Sequence, residues 1–393
     1  MRIWATLLVS LFLAGCPGAD EGAAPGPELQ ASEASPGRGW WVLAEGSWRT
    51  LESPRKIDQL VADAERLGVT DLFVQIYRGG RSWFPSQSAD AAPYREILQR
   101  GAGAPLPRLI EAAHARGIRV HAWFNVLRVA KNRDAPLLAA VGPDALLVDR
   151  EGRSLADYPN FEVPLPDRRH ARMGSPGLWL DPATPGVIEH LESTLDELVA
   201  STPEFDGLHL DFIRHPLVLP IVPGSRFEVG LEFGYGEPGR TRFEQETGRG
   251  FRRGEQWDAF RRERVDETVR RLSARVPEHW AVSAAVLPWA ERAYLAAMQD
   301  WRRWLEEGWL DFVVAMAYTR DDRLLRYLSH GLTGGIGGDR VWLGLGSWLF
   351  AEQPARGAAQ VATASGADPA GIVLFSYDAL AGRADLLDEI AAP

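Results

Sequence analysis

Eight short apolar runs, separated by amphipathic stretches, constrain this fold more than any other feature of the sequence. They are "WWVLAEG" (40–46), "DLFVQIY" (71–77), "RVHAWFN" (119–125), "GLHLDFI" (207–213), "WAVSAAVL" (280–287), "LDFVVAMAY" (310–318), "RVWLGLGSW" (340–348) and "GIVLFSY" (371–377). Runs of this length, rich in β-branched and aromatic residues, read as buried strands. The stretches between them carry helical period and helical punctuation. The segment 53–68 offers Ser53 as N-cap, Pro54 at the first helical position and Gly68 as its stop. Segments 106–117, 185–201, 255–276, 293–308 and 384–392 read the same way, with Val187, Leu191, Leu195 and Leu198 on one face of the second of these. Strands alternating with helices make βα units and a parallel sheet. Eight of them predict an α/β (β/α)8 TIM barrel. A doubly wound sheet is the alternative, but it would carry a glycine-rich phosphate turn after its first strand, and "AEGSWRTL" is not one.

Two connections are too long for simple loops, 126–184 and 216–254. They follow the third and fourth strands at their C-terminal ends, where barrels build substrate clefts. They are therefore expected to be insertions that shape a site.

The chain opens "MRIWATLLVSLFLAGCPG": one arginine, a short apolar run, then small residues. That is the pattern of a secretory signal, too short to span a bilayer stably. Its end, Leu13-Ala14-Gly15-Cys16, resembles a bacterial lipobox. The resemblance implies cleavage before Cys16, lipidation of Cys16 and membrane attachment through it. Pro17 in place of the inner-membrane retention Asp favours the outer membrane, facing the periplasm. Cys16 is the chain's one cysteine, so no intramolecular disulfide can form. Residues 17–39, rich in Pro, Gly, Ala, Ser and Glu, read as a flexible tether, and the folded unit 40–393 is expected to start at Trp40.

The net charge of −10 argues against a nucleic-acid partner. No His or Cys group has zinc-ligand spacing, and neither a G-x-S-x-G elbow nor a P-loop is present, so no metal or cofactor is expected. What remains is carboxylate chemistry. In "DGLHLDFIRHP" (206–216), Gly207, His209 and Asp211 share one strand parity, and Leu208, Leu210 and Phe212 the other. With the apolar set under the helices, His209 and Asp211 point into the barrel. Asp211 lies nearer the C-terminal end and is the first catalytic candidate. His209, one layer deeper, is expected to orient a neighbour. Asp206 reads as a turn residue at the opposite end. Other strand ends supply Gln75, Arg78, His121, Trp123, Asn125, Arg214, Tyr318, Trp348, Tyr377 and Asp378 as substrate-binding candidates. Aromatic faces stacking on sugar rings, with amides and carboxylates for the hydroxyls, suit a polysaccharide.

The segments "HARGIRVHAWFNVLR", "WLDPATPGVIEHL", "DGLHLDFIRHP", "SAAVLPW", "QDWRRWLEEGWLDFVVAMAYT" and "VLFSYDAL" resemble, in order and spacing, the glycosyl-hydrolase-like family 10 domain of bacterial envelope proteins. The resemblance runs from Trp40 almost to the end. It implies a (β/α)8 barrel, and known members include lipoproteins acting on peptidoglycan glycan strands stripped of their peptides. "GLHLDFIRH" also resembles the fourth-strand motif of α-amylase-type barrels, whose nucleophile falls at Asp211. The strand-five acid of that group has no counterpart before Glu291, and the chitinase-type motif would put its acid at Ile213. Glycoside hydrolysis commonly needs two carboxyls. Asp321, on a loop past Tyr318, is the first-ranked partner, ahead of Asp378 and Glu45. Trp301, Trp304 and Leu305 share a helical face and read as packing. The expectation is a monomeric, membrane-anchored glycoside hydrolase of an envelope polysaccharide. The alternatives are a non-catalytic glycan-binding lipoprotein on a degenerate barrel, or a hydrolase of secreted exopolysaccharide. A second carboxylate across from Asp211 would favour the enzyme; Asp211 alone would favour the binder.

Overall fold

The computed structural model describes residues 36–165, 167–169, 171–220 and 231–390. The segment expected as a secretory signal, Cys16 and the expected tether as far as residue 35 lie outside the described residues. Eight parallel strands form the barrel: β1 (Gly37–Val42), β2 (Asp71–Arg78), β3 (Arg119–Asn125), β4 (Gly207–Asp211), β5 (Ala281–Val286), β6 (Phe312–Met316), β7 (Val341–Gly346) and β8 (Gly371–Phe375). Each pairs in parallel with the next, and β8 pairs with β1, so the sheet closes on itself. The first strand begins at Gly37, opposite Gly371, three residues earlier than the boundary at Trp40. The glycines of "GRG" read as linker in sequence, but the β8 edge needs a partner and takes them.

Eight helices cover the strands: α1 (Pro54–Arg66), α2 (Pro105–His114), α3 (Val187–Ser201), α4 (Glu255–Ser273), α5 (Trp301–Glu306), α6 (Asp322–Thr333), α7 (Pro354–Ser365) and α8 (Ala384–Ile390). The segment expected as one helix over 293–308 is two, Ala290–Ala296 and α5. Met298 sits between them in the left-handed region, φ 55°, which a continuous helix excludes. Trp301, Trp304 and Leu305 are buried as expected of packing residues, and Trp304 Nε1 donates to Asp266 Oδ1 (2.6 Å). Asp206 accepts from the backbone N–H of Val120 (2.7 Å) and contacts His114 (2.8 Å), at the N-terminal end of the barrel.

The outward side chains of the strands join the main core under the helices, while a separate aromatic cluster fills the interior: Trp41, Phe73, Trp123 and Trp342, with Ala285, Val314 and Val373. Glycine on the strands makes room for these rings. A Cβ on Gly344 would stand 2.7 Å from the Trp41 indole, and one on Gly371 would overlap the Trp342 ring. Such small-against-large pairing is how a narrow barrel is filled without voids.

The strand-to-helix connections after β3 and β4 meet each other. Ala171–Met173 of the first pairs antiparallel with Val218–Pro220 of the second. Arg128–Ala130 also pairs with Leu178–Trp179 inside the first connection. Residues of both ribbons contribute to the wall of the cavity at the C-terminal end of the barrel.

Candidate active site at the barrel mouth

The site is built around the end of β4. Asp211 is its last residue, opposite Asn125 of β3. Phe212 then turns into the left-handed region at φ 53°, a conformation costing an aromatic residue roughly 1 kcal/mol. The turn is held by Asp211 itself, whose Oδ1 accepts the Phe212 N–H at 2.6 Å. Trp123 Nε1 donates to Oδ2 at 3.1 Å. Asp211 is 6% exposed. Burial raises its pKa, and the Phe212 N–H, the Arg214 charge and the Trp123 indole offset only part of that. A carboxyl shifted toward its neutral form by burial suits a proton donor.

A cavity of about 450 Å³ opens over Asp211. Gln75, Arg78, Trp123 and Asn125 line it, as do Arg214 and Tyr318, so six of the expected binding residues converge with the catalytic candidate. Gln75 Nε2 donates to Asn125 Oδ1 at 3.5 Å, and Gln75 Oε1 is buried without a partner among the described residues. Burial, with the Asp211 charge, holds the Tyr318 hydroxyl well above its ordinary pKa. Trp348 stands beside this wall rather than in it, 41% exposed and edge-on to Tyr318 at 4.9 Å.

Four candidates lie elsewhere. His121 is near the N-terminal end, its Nε2 2.8 Å from Asp71 Oδ1 and its ring stacked on Phe73. Burial pushes Asp71 up, but hydrogen bonds from His121 and Arg119 outweigh it and hold the carboxylate below its ordinary pKa. Tyr377 belongs to the outer layer, stacked on Trp40 at 5.2 Å, with its hydroxyl donating to Asp63 Oδ2 (2.9 Å). The chain leaves β8 before that residue, so strand parity no longer applies. Asp378 accepts the backbone N–H of Leu43 (2.8 Å) and fixes the exit of β1. Asp321 is the N-cap of α6, accepting from the N–H groups of Arg323 and Leu324, both at 3.0 Å. It starts that helix and is not among the described residues that line the cavity with Asp211.

His209 is inside the barrel but below the cavity. Trp41 Nε1 donates to its Nε2 (3.0 Å), and its Nδ1 lies 2.9 Å from Ser283 Oγ. Accepting at Nε2 places the ring proton on Nδ1, facing Ser283. Burial, with His121 nearby, holds His209 well below its ordinary pKa, as a neutral ring. It positions Trp41, which lines the cavity, and is not itself among the lining residues. Glu45 pairs with Arg81 and approaches Arg78 Nε at 3.8 Å, outside the lining. Among the described lining residues, Asp211 is the single carboxylate.

Sequence reasoning passed over Arg128 and Trp289, both in the wall. Each stands three residues past the end of its strand, β3 and β5. Position just beyond a strand's C-terminus was the available signal. Trp289 is 40% exposed, an open aromatic face of the kind that stacks on sugars.

Among curated proteins, the glycosyl hydrolase DigH of Escherichia coli O6:H1 is 26% identical over 286 residues, covering 67% of this chain and 56% of that protein. The glycosyl hydrolase YngK of Bacillus subtilis strain 168 is 22% identical over 294 residues, covering 68% of this chain and 49% of that protein. The chain thus spans about half the length of these relatives. Among solved structures, the catalytic domain of β-amylase from Paenibacillus polymyxa superposes with a TM-score of 0.55 at 11% identity, covering 91% of this chain and 94% of that one. A GH36 α-galactosidase from Geobacillus stearothermophilus gives 0.51 at 12% identity, covering 91% and 41%. Both have the same barrel fold. The model of the glycosyl hydrolase-like 10 family matches residues 37–323, from the first residue of β1 into α6, and the chain belongs to that family.

Proposed function

We propose that this protein is a glycoside hydrolase of a cell-envelope polysaccharide, with peptide-free peptidoglycan glycan strands as substrate and Asp211 as its catalytic acid. The family and the fold support glycoside-hydrolase-type function. The observation that carries the finer reading is the buried, hydrogen-bonded Asp211 at the floor of an aromatic-walled cavity. In its protonated form that carboxyl can give its proton to the departing glycosidic oxygen.

One carboxylate is enough where the substrate supplies the nucleophile. The acetamido oxygen of a 2-acetamido sugar bonds to C1 as the C1–O bond breaks, and the Asp211 proton goes to the leaving oxygen. Water then adds at C1, the acetamido group is released, and the water's proton returns to Asp211. Asn125 and Gln75 are placed to bind the amide and hydroxyl groups, and Trp289 to stack on a sugar face. Attachment to the outer membrane through lipidated Cys16 belongs to the same proposal and rests on the leader sequence.

The test is incubation of the full-length protein with peptide-free glycan strands, with products read by mass spectrometry. Fragments from wild type and none from Asp211→Asn support the reading. The single carboxylate also favours a second one, a glycan-binding protein without turnover. Equal binding by wild type and Asp211→Asn with no fragments from either would establish that instead.

A further inference from the structure

We propose that Arg78, Arg128 and Arg214 form a clamp for a free carboxylate on one sugar of the glycan, a proposal that rests on the glycan reading above. All three arginines line the cavity that holds Asp211. The chain as a whole carries −10, so this cluster is not the spill-over of a basic surface. Arg128 and Arg214 flank the Phe212 ring, at 5.0 and 5.5 Å from its centre. The strained turn after Asp211 therefore holds two guanidiniums on one aromatic ring beside the candidate acid.

These cations are under-used by the protein. Neither Arg128 nor Arg214 reaches a carboxylate within 4.0 Å among the described residues. Arg214, 6% exposed, donates to His215 O (3.2 Å), and Arg128 donates to Pro176 O (2.7 Å). The Arg128 Nε is buried with no partner among the described residues. A guanidinium has five N–H donors, so most are left over. Among the described residues, Arg78 keeps only a long contact to a carboxylate, Glu45 at 3.8 Å. Burial, with Arg78 nearby, brings Arg128 down to about 10, and burial does the same to Arg214. Clustered, desolvated cations are costly unless an anion joins them. The planar fork of arginine matches a carboxylate with two parallel hydrogen bonds.

Two kinds of sugar bring that group: an amino sugar with a lactyl ether, and a uronic acid. On the first, a stem peptide converts the carboxylate to an amide. The clamp would therefore read whether the peptide has been removed, which gives a physical basis for preferring peptide-free strands.

The experiment is a tryptophan-fluorescence titration of the full-length protein. Four probes are used: an N-acetylglucosamine–N-acetylmuramic acid tetrasaccharide, its lactyl amide, tetragalacturonate and its methyl ester. Wild type is read by stopped flow, and Asp211→Asn at equilibrium to exclude turnover. One acid is expected to bind roughly tenfold or more tightly than its neutral counterpart, and which acid does so identifies the source. Arg128→Gln and Arg214→Gln should bring that ratio close to one. Equal affinity of wild type for both acids and their neutral partners would overturn the clamp and leave the glycan reading standing. Binding of none of the four would overturn both.

Discussion

The indole N–H of Trp123 reaches Asp211 Oδ2 at 3.1 Å, from the neighbouring strand and through the interior of the barrel. This contact ties the protonation of the candidate acid to an aromatic residue of the cavity wall. The bond favours the ionised form of Asp211, so its removal raises the Asp211 pKa further. Trp123→Phe should lower kcat roughly tenfold. It should also move the limb of the pH–rate profile that reports Asp211 to higher pH. A limb that stays in place or moves down would show that the indole does not tune this carboxyl.

Asp321 separates a capping role from a catalytic one. Asp321→Ala removes two hydrogen bonds at the start of α6 and should cost about 1 kcal/mol. Glycan cleavage should remain at the wild-type rate. Loss of cleavage in a folded Asp321→Ala protein would return this residue to the site.

The Trp41–His209–Ser283 chain is expected to stabilise the interior. Trp41→Phe leaves His209 Nε2 buried without a donor, a defect worth about 1–3 kcal/mol. Urea denaturation measures it. No change in midpoint would mean the ring finds another partner.

Two glycines should respond in opposite directions. Gly371→Ala drives a methyl into the Trp342 ring and should destabilise by about 1–3 kcal/mol. At Gly331, on α6, an added methyl would meet nothing within 4 Å, and Gly331→Ala should stabilise by about 0.5–1 kcal/mol. Thermal unfolding of both variants decides whether close packing or backbone entropy governs each site.

Asp181 gives a pH-dependent prediction. It is 2% exposed, and burial raises it to about 6 against the help of the Ala183 N–H and the Arg261 charge. A folded-state value above the unfolded one means the native state holds the proton more tightly. Stability from this group therefore falls as pH rises from about 4 to about 6 and is flat above. Asp181→Asn keeps the acceptor for Ala183 and should be more stable than wild type by roughly 3 kcal/mol at pH 7.5, with the gain vanishing at pH 4. A variant less stable than wild type at pH 7.5 would show that the ionised carboxylate is favoured by its surroundings.

The alternation of strands and helices, and the place of Asp211 on β4, were legible because they depend on local chemistry. Short β-branched and aromatic runs, helical period and strand parity all operate within a few residues. Strand parity correctly turned His209 and Asp211 inward, since β4 is regular up to Asp211. It failed for Tyr377 and Asp378, where the chain has already left β8. Parity alone also sets no depth: His121 shares it with Asn125, but lies near the start of β3, where it meets Asp71. Asp321 looked like a mouth residue in sequence, and only the hydrogen bonds of α6 identify it as a cap.

The sequence by itself determined the barrel and the inward parity of β4, because each is written in residues close along the chain. Only the tertiary structure decided which side chains share the cavity. Arg78, Arg128 and Arg214 come from β2 and from the segments that follow β3 and β4, and closure of the barrel is what brings them to one cavity. Charge acts through space, and spacing along a chain does not encode it.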